Sequence, residues 1–213
     1  MKALTAWLPY VLIPGAPQIM AIDAIRSALQ EFCRETLVWN YTQDAITAYI
    51  GEAEYAYEIL EETQVVQPLR GWFNGSPIEV KTPAELDAIY RGSNWMTATG
   101  GPRYLVALSR DCARLVPIPD EKVVAGLVLQ VALEPADDAT EVDDVLFTRH
   151  REAIAHGAKA RLKSMTDKPF FDAKGATFEA GKFADKIATE KINFWRGHGS
   201  SNLTARNPFG KFA

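Results

Sequence analysis

The scarce residues of this chain exclude more than its abundant ones. It has two cysteines, Cys33 and Cys112, and three histidines, His150, His156 and His198. Two cysteines give no disulfide framework. Cys33 falls on the apolar side of a helical repeat, which makes it a core residue, and the chain reads as one made in a reducing cytoplasm. His150 and His156 stand six apart rather than as the i, i+4 pair of a zinc helix, and no cysteine pair assists them. No metal and no cofactor are therefore expected, and these histidines read as solvated or interfacial. No apolar run approaches the roughly 20 residues that span a bilayer, so no membrane partner is expected. Pro9 and Pro14 break the opening apolar stretch, which does not read as a signal peptide.

Catalytic motifs are missing in the same way. Gly175 to Gly181-Lys182 resembles a phosphate loop only loosely. Five residues separate the glycines where four are required, and Phe183 stands where Ser or Thr would meet magnesium. GHGSS at 197–201 lacks the strand-turn-helix setting of a nucleophile elbow. There is no G-x-G-x-x-G and no acid, base and nucleophile set, so no catalytic residue is expected and the chain reads as non-enzymatic.

Charge is modest in sum and uneven in place. Twenty-three Lys and Arg oppose 27 Asp and Glu, a net charge of −4, which argues against a general nucleic-acid binder. Six acids and no base lie between Glu134 and Asp144 (Glu134, Asp137, Asp138, Glu141, Asp143 and Asp144). They lack the glycine and ligand spacing of a calcium loop. They read as a solvated surface and as complements to a helix N-terminus, with contacts to bases of neighbouring copies as the alternative. After Glu190 there is no acid, only Lys191, Arg196, Arg206 and Lys211 with His198.

What is present is periodicity. Residues 1–17 read as an irregular arm packed on the body. From Gln18 to Thr36, Ile22, Ile25, Leu29, Phe32 and Cys33 recur on one helical face. A second helix runs to about Met165, with Phe147, Ile154, Ala158 and Leu162 as its stripe. Thr140 and Asp143 fit a capping box at its start. Ala153, Ala155, Gly157, Ala158 and Ala160 keep its middle thin, so another helix can approach closely. Pro169 ends it. A third helix spans Asp172 to Arg196, with Ala176, Ala180, Phe183, Ile187 and Phe194 inward.

Between Leu37 and Pro135 the period becomes that of strands. Asn74-Gly75, between two β-rich runs, specifies a type I′ hairpin. Tyr55, Tyr57 and Ile59 share a side, PAELDAIYRG makes a short helical turn, and three further strands follow. Trp39, Trp72 and Trp95 offer a sugar-binding surface as one reading and sheet or core positions as the other. The final 17 residues have three glycines, one proline and no period, and alone would be disordered. Extended, they span roughly 55 Å at about 3.3 Å per residue. Phe209 and Phe212, flanked by Arg206 and Lys211, look like anchors for a partner.

The fold class is α+β. Residues 1–36 and 140–196 form a helical bundle of an N-terminal helix and two long C-terminal helices. Residues 37–139 form an inserted antiparallel β-sandwich-like module, and 197–213 an extended C-terminal arm.

The order of these pieces resembles the head-to-tail adaptor (neck, head-completion or connector) proteins of tailed bacteriophages. The likeness runs through PGAPQIMAIDAIRSALQEFCRETLVWN at 14–40, GEAEYAYEI at 51–59, WFNGSPIE at 72–79 and TGGPRYLV at 99–106. It continues through LVPIP at 115–119, VALEPADDAT at 131–140 and the closing helical pair up to PFFD at 169–172. The resemblance implies a structural protein of the virion neck. It would assemble as a homo-oligomeric ring, typically twelvefold, docked under the portal protein. It would extend the DNA channel without sequence-specific DNA binding and offer a platform for a tail or nozzle protein. The C-terminal segment would reach into the portal, which makes Arg206, Phe209, Lys211 and Phe212 the portal-binding candidates. A tail-completion protein, or a carbohydrate-binding tail component using Trp72, Trp95 or Tyr90, is the alternative.

Overall fold

The computed structural model describes residues 1–198. Its opening segment is shaped rather than irregular. A two-residue strand β1 (Lys2–Ala3) leads through a single 3-10 turn (Leu4–Trp7) into a short helix α1 (Leu8–Val11). Leu4, Trp7 and Val11 are buried. The Trp7 ring meets Phe147 edge-on, with centroids 4.8 Å apart.

The first long helix, α2 (Gln18–Thr36), begins where Pro17 supplies extended backbone and ends where Leu37 turns left-handed at φ 55°. Strands β2 (Asn40–Thr42), β3 (Ile46–Ala48) and β4 (Glu54–Ala56) follow, then the long β5 (Thr63–Phe73) and β6 (Ser76–Val80). Asn74 and Gly75 both take positive φ, 48° and 75°, as a type I′ turn requires. Gly71 is needed on the adjoining strand, because a Cβ there would meet Ile78 at 2.8 Å. Helix α3 (Pro83–Tyr90) starts from a capping box in which Thr82 and Glu85 bond each other's backbone N–H. Strands β7 (Tyr104–Ala107), β8 (Cys112–Val116), β9 (Val123–Pro135) and the short β10 (Glu141–Val142) lead into α4 (Asp144–Lys163) and α5 (Ala173–His198).

Eight strands make one curled sheet in the order β2-β9-β5-β6-β7-β8-β4, with β3 also on β9. β5 and β9 are its spine. They pair antiparallel from Thr63↔Pro135 to Phe73↔Leu127, with register shifts near Gln67 and Pro68. Those irregularities let a proline sit within a long strand. β6 and β7 pair parallel, because the chain crosses over through α3 before returning. The curl brings Tyr55, Ile78, Leu105 and Leu115 into one buried cluster with Leu127, Leu129 and Val131. That cluster continues without a break into the helices, through Ile25, Leu29, Phe32, Ile154, Leu162 and Phe183. A separate small cluster of Leu86, Trp95, Val106 and Val116 lies under α3.

The thin middle of α4 does its expected work. A Cβ on Gly157 would meet Phe183 at 2.9 Å and Ala28 at 3.0 Å, so α2, α4 and α5 converge where the side chain is missing. Two local expectations are corrected. Thr140 is not a cap: its hydroxyl and backbone N–H bond the Glu62 carboxylate instead. Asp143 caps α4, accepting from the Val145 N–H at 2.8 Å, because residues 141–142 stay extended to pair with β1.

The larger correction concerns Glu134, which is fully buried and not part of a solvated acid run. Its carboxylate accepts two hydrogen bonds from Arg34, at 3.0 and 2.9 Å, and one from Gln64 Nε2 at 3.0 Å. Arg110 lies 3.7 Å away. This carboxylate joins α2, β5, β9 and the β7–β8 loop.

Arg34 is half exposed, and without it the buried Glu134 carboxylate keeps only Gln64 and the more distant Arg110, a loss of about 2 kcal/mol. Arg34→Ala therefore lowers the urea midpoint by that equivalent, while replacing both Arg34 and Glu134 with Met restores most of it. Equal stability of the single variant and the native chain would remove Glu134 from this role.

Candidate protein-interaction site

Helix α5 carries the exposed features most suited to a partner, and its two seams show why. Ala176, Phe183 and Ile187 are buried against the other helices. Toward α4, α5 supplies acids to histidines: Glu179 Oε2 lies 2.5 Å from His156 Nδ1, and Glu190 Oε1 lies 3.9 Å from His150 Nδ1. Lys186 and Glu152 form a looser pair at 3.7 Å. Toward α2 the pairing is Lys191 with Glu35, beside Arg161 of α4 with Glu31.

Past Lys191 the pattern changes. Phe194 continues the inward stripe of Phe183 and Ile187, whereas Ile192 and Trp195 point off it and stand 51% and 67% exposed. Trp195 meets Phe194 edge-on at 5.7 Å, which supports the indole while leaving it in solvent. The end of α5 therefore presents an apolar surface immediately before residues 199–213. Arg206, Phe209, Lys211 and Phe212 lie outside the described residues.

His150 is interfacial. Its ring lies 5.0 Å from that of Phe32, and burial pushes its imidazolium down in pKa more strongly than Glu190 pulls it up, with Arg149 adding to the lowering. His156 bridges α4 to α5, and His198 is the last residue of α5. Among the described residues, no three His, Cys, Asp or Glu side chains gather as a metal site would require, and no helix is long and apolar enough to cross a membrane.

The remaining sequence candidates are distributed through the fold. Ile25, Leu29, Phe32, Ile154 and Leu162 are fully buried, while Ile22 and Phe147 are half-buried beside the same core. Cys33 is buried, which with nearby Glu134 raises its thiol pKa far above the ordinary range and leaves it unreactive. Trp39 and Trp95 are buried, the latter donating from Nε1 to Asp87 at 2.8 Å, so they form no open sugar platform. Trp72 and Tyr90 are half-buried.

A second apolar surface was missed by periodicity. At the end of β9 away from the helices, Tyr49, Ile50 and Val124 are 49%, 67% and 73% exposed. They are brought together by the β3–β9 pairing and by Gly51 donating to the Pro119 carbonyl at 2.9 Å. The signal available in the sequence was an apolar residue on each side of a turn, which periodicity alone does not mark as exposed.

The family model described as SU10 adaptor protein matches residues 1–205. No curated protein matches the chain.

The fold favours the neutral ring of His150, so its pKa is lower folded than unfolded. Its contribution to stability is complete above the unfolded value of about 6.5 and is lost as pH falls through the lower folded value. The melting temperature therefore drops less between pH 7.5 and pH 5 in His150→Leu than in the native chain. Identical drops would show that His150 titrates alike in both states.

Proposed function

With the chain belonging to the SU10 adaptor protein family, a family of phage structural proteins, we propose that it is a head-to-tail adaptor. In this reading about twelve copies form a ring beneath the portal protein, extend the DNA channel and support a tail or nozzle protein. The observation that carries the reading is the end of α5. Beyond Lys191 it exposes Ile192 and Trp195, and the sequence that follows carries Arg206, Phe209, Lys211 and Phe212 and no acid. Aromatic side chains filling partner pockets supply affinity, and the basic charges steer the encounter.

The rest of the chain suits this division of labour. Residues 1–36 and 140–196 are the helical platform, 37–139 the β module, and 197–213 the portal-binding arm. β9 extends about 40 Å from Pro135 to Val123 at 3.3 Å per residue. Its far end, with Tyr49, Ile50 and Val124 exposed, is the surface offered to the tail component. A body of net charge −4 suits a channel through which DNA slides without adhering.

The test uses portal rings from the same genome, with the full chain and with a chain ending at Arg196, followed by affinity measurement and electron microscopy. The full chain adds a ring to the portal, and the truncated chain binds at least tenfold more weakly, about 1.4 kcal/mol. Equal binding by both would remove the arm from docking. Binding by neither would overturn the adaptor reading in favour of a tail-side component.

A further inference from the structure

Three helices of the bundle leave the place of a fourth open. Between α2 and α5, above α4, runs a groove of about 740 Å³. Ala180, Ala184 and Ala188 line its α5 side, Phe183 its floor, and Glu31 and Glu35 its α2 rim. The same helix carries a shape that fits such a groove on a different face. Phe178 is 62% exposed with the Lys182 ammonium 5.7 Å from its ring centroid. At 100° per residue, Phe178 and Ala184 lie about 120° apart around α5.

Resting on the adaptor reading, we propose that the groove is the ring's subunit contact, occupied by the Phe178–Lys182 face of α5 from the next copy. The exposed acids on the α2 rim, set against Arg161 and Lys191 in the same groove, suit an occupant that brings an apolar ring flanked by lysines. Lys174 and Lys182 have no acid partner among the described residues. Across the groove, Glu31 and Glu35 are each paired once, with Arg161 and Lys191, yet their side chains remain 49% and 45% exposed. A carboxylate has acceptor sites for a second cation. Phe178 is presented on a formed helix, so seating it orders no extra backbone. The alanines keep that side of the groove low, so a large ring can enter between the helices. Because donor face and groove are different patches, the contact repeats head to tail rather than pairing about a two-fold axis, and a head-to-tail contact closes into a ring when its rotation permits.

The experiment places cysteines at Phe178 and Ala184 in a Cys112→Ser background and assembles the protein on portal rings at a concentration high enough to offset the lost Phe178 contact, checked by microscopy before oxidation. The double variant F178C/A184C then gives a ladder of covalent multimers, while either single variant stays monomeric on a denaturing gel. A companion variant, Ala184→Trp, fills the groove at an exposed position. It melts like the native chain and adds no ring to the portal. Portal-bound rings without a ladder, or with a ladder from F178C alone, overturn the groove contact and leave the adaptor reading standing. Cross-linking of A184C to a cysteine at Phe209 within one chain also overturns it, because the groove would then hold the chain's own arm. Absence of any ring from the native chain, seen before oxidation, counts against the adaptor reading and removes the proposal with it.

Discussion

The buried carboxylate of Glu134 is the constraint on which the rest of the structure depends. A charge enclosed by protein persists only when its lone pairs are filled. Arg34 fills two of them from the helix, Gln64 one from the neighbouring strand, and Arg110 stands over them from a loop. Apolar burial presses α2 against β9 but leaves it free to slide by a methylene. The bidentate guanidinium does not, because its two bonds are satisfied together in one geometry. The Nε2 of Gln30 donates to the Pro135 carbonyl at 3.2 Å and the Nε of Arg26 to the Ala139 carbonyl at 3.0 Å, extending that fixed register along the helix. The helical platform and the β module therefore share one alignment.

How the bundle closes follows a different rule. The polar contacts of the α4–α5 seam are exposed or half-buried ion pairs, and the α2–α5 side has one surface pair, Lys191 with Glu35, over alanines. Surface pairs contribute little each. α5 is thus fixed mainly by Ala176, Phe183 and Ile187 on one stripe flanked by these pairs, while its outer face turns to solvent. The outer face and end of α5 hold Phe178, Ile192 and Trp195, three of the exposed large apolar residues available for contact outside the chain.

Much of this was legible before any coordinates. Apolar period gave α2 from Gln18 to Thr36, and the thin middle of α4 announced the close packing found at Gly157. Asn74-Gly75 dictated its hairpin because few other pairs accept positive φ twice. What was not legible depended on partners distant in sequence. Glu134 looked like one acid among six, since nothing local reveals that Arg34 lies a hundred residues away in the chain and within 2.9 Å in space. Thr140 fitted a cap by spacing, but Glu62, itself at φ 56°, reached it first. The parallel step from β6 to β7 was hidden because strand alternation does not state direction. Exposure at Tyr49, Ile50 and Val124 was hidden for a similar reason: a residue's apolar character does not say whether the sheet's curl will cover it.

The small cluster under α3 has a consequence for how the molecule breathes. Leu86, Trp95, Val106 and Val116 share no burial with the main core, so α3 and its loop form a cooperative unit with its own, lower opening free energy. Backbone amides of α3 are therefore expected to exchange with solvent ahead of those of β5 and β9 in the spine. The β module thus contains a latch that can loosen without disturbing the spine beside it, which lets its outer edge adapt to a docked surface at little cost to the register that Glu134 holds.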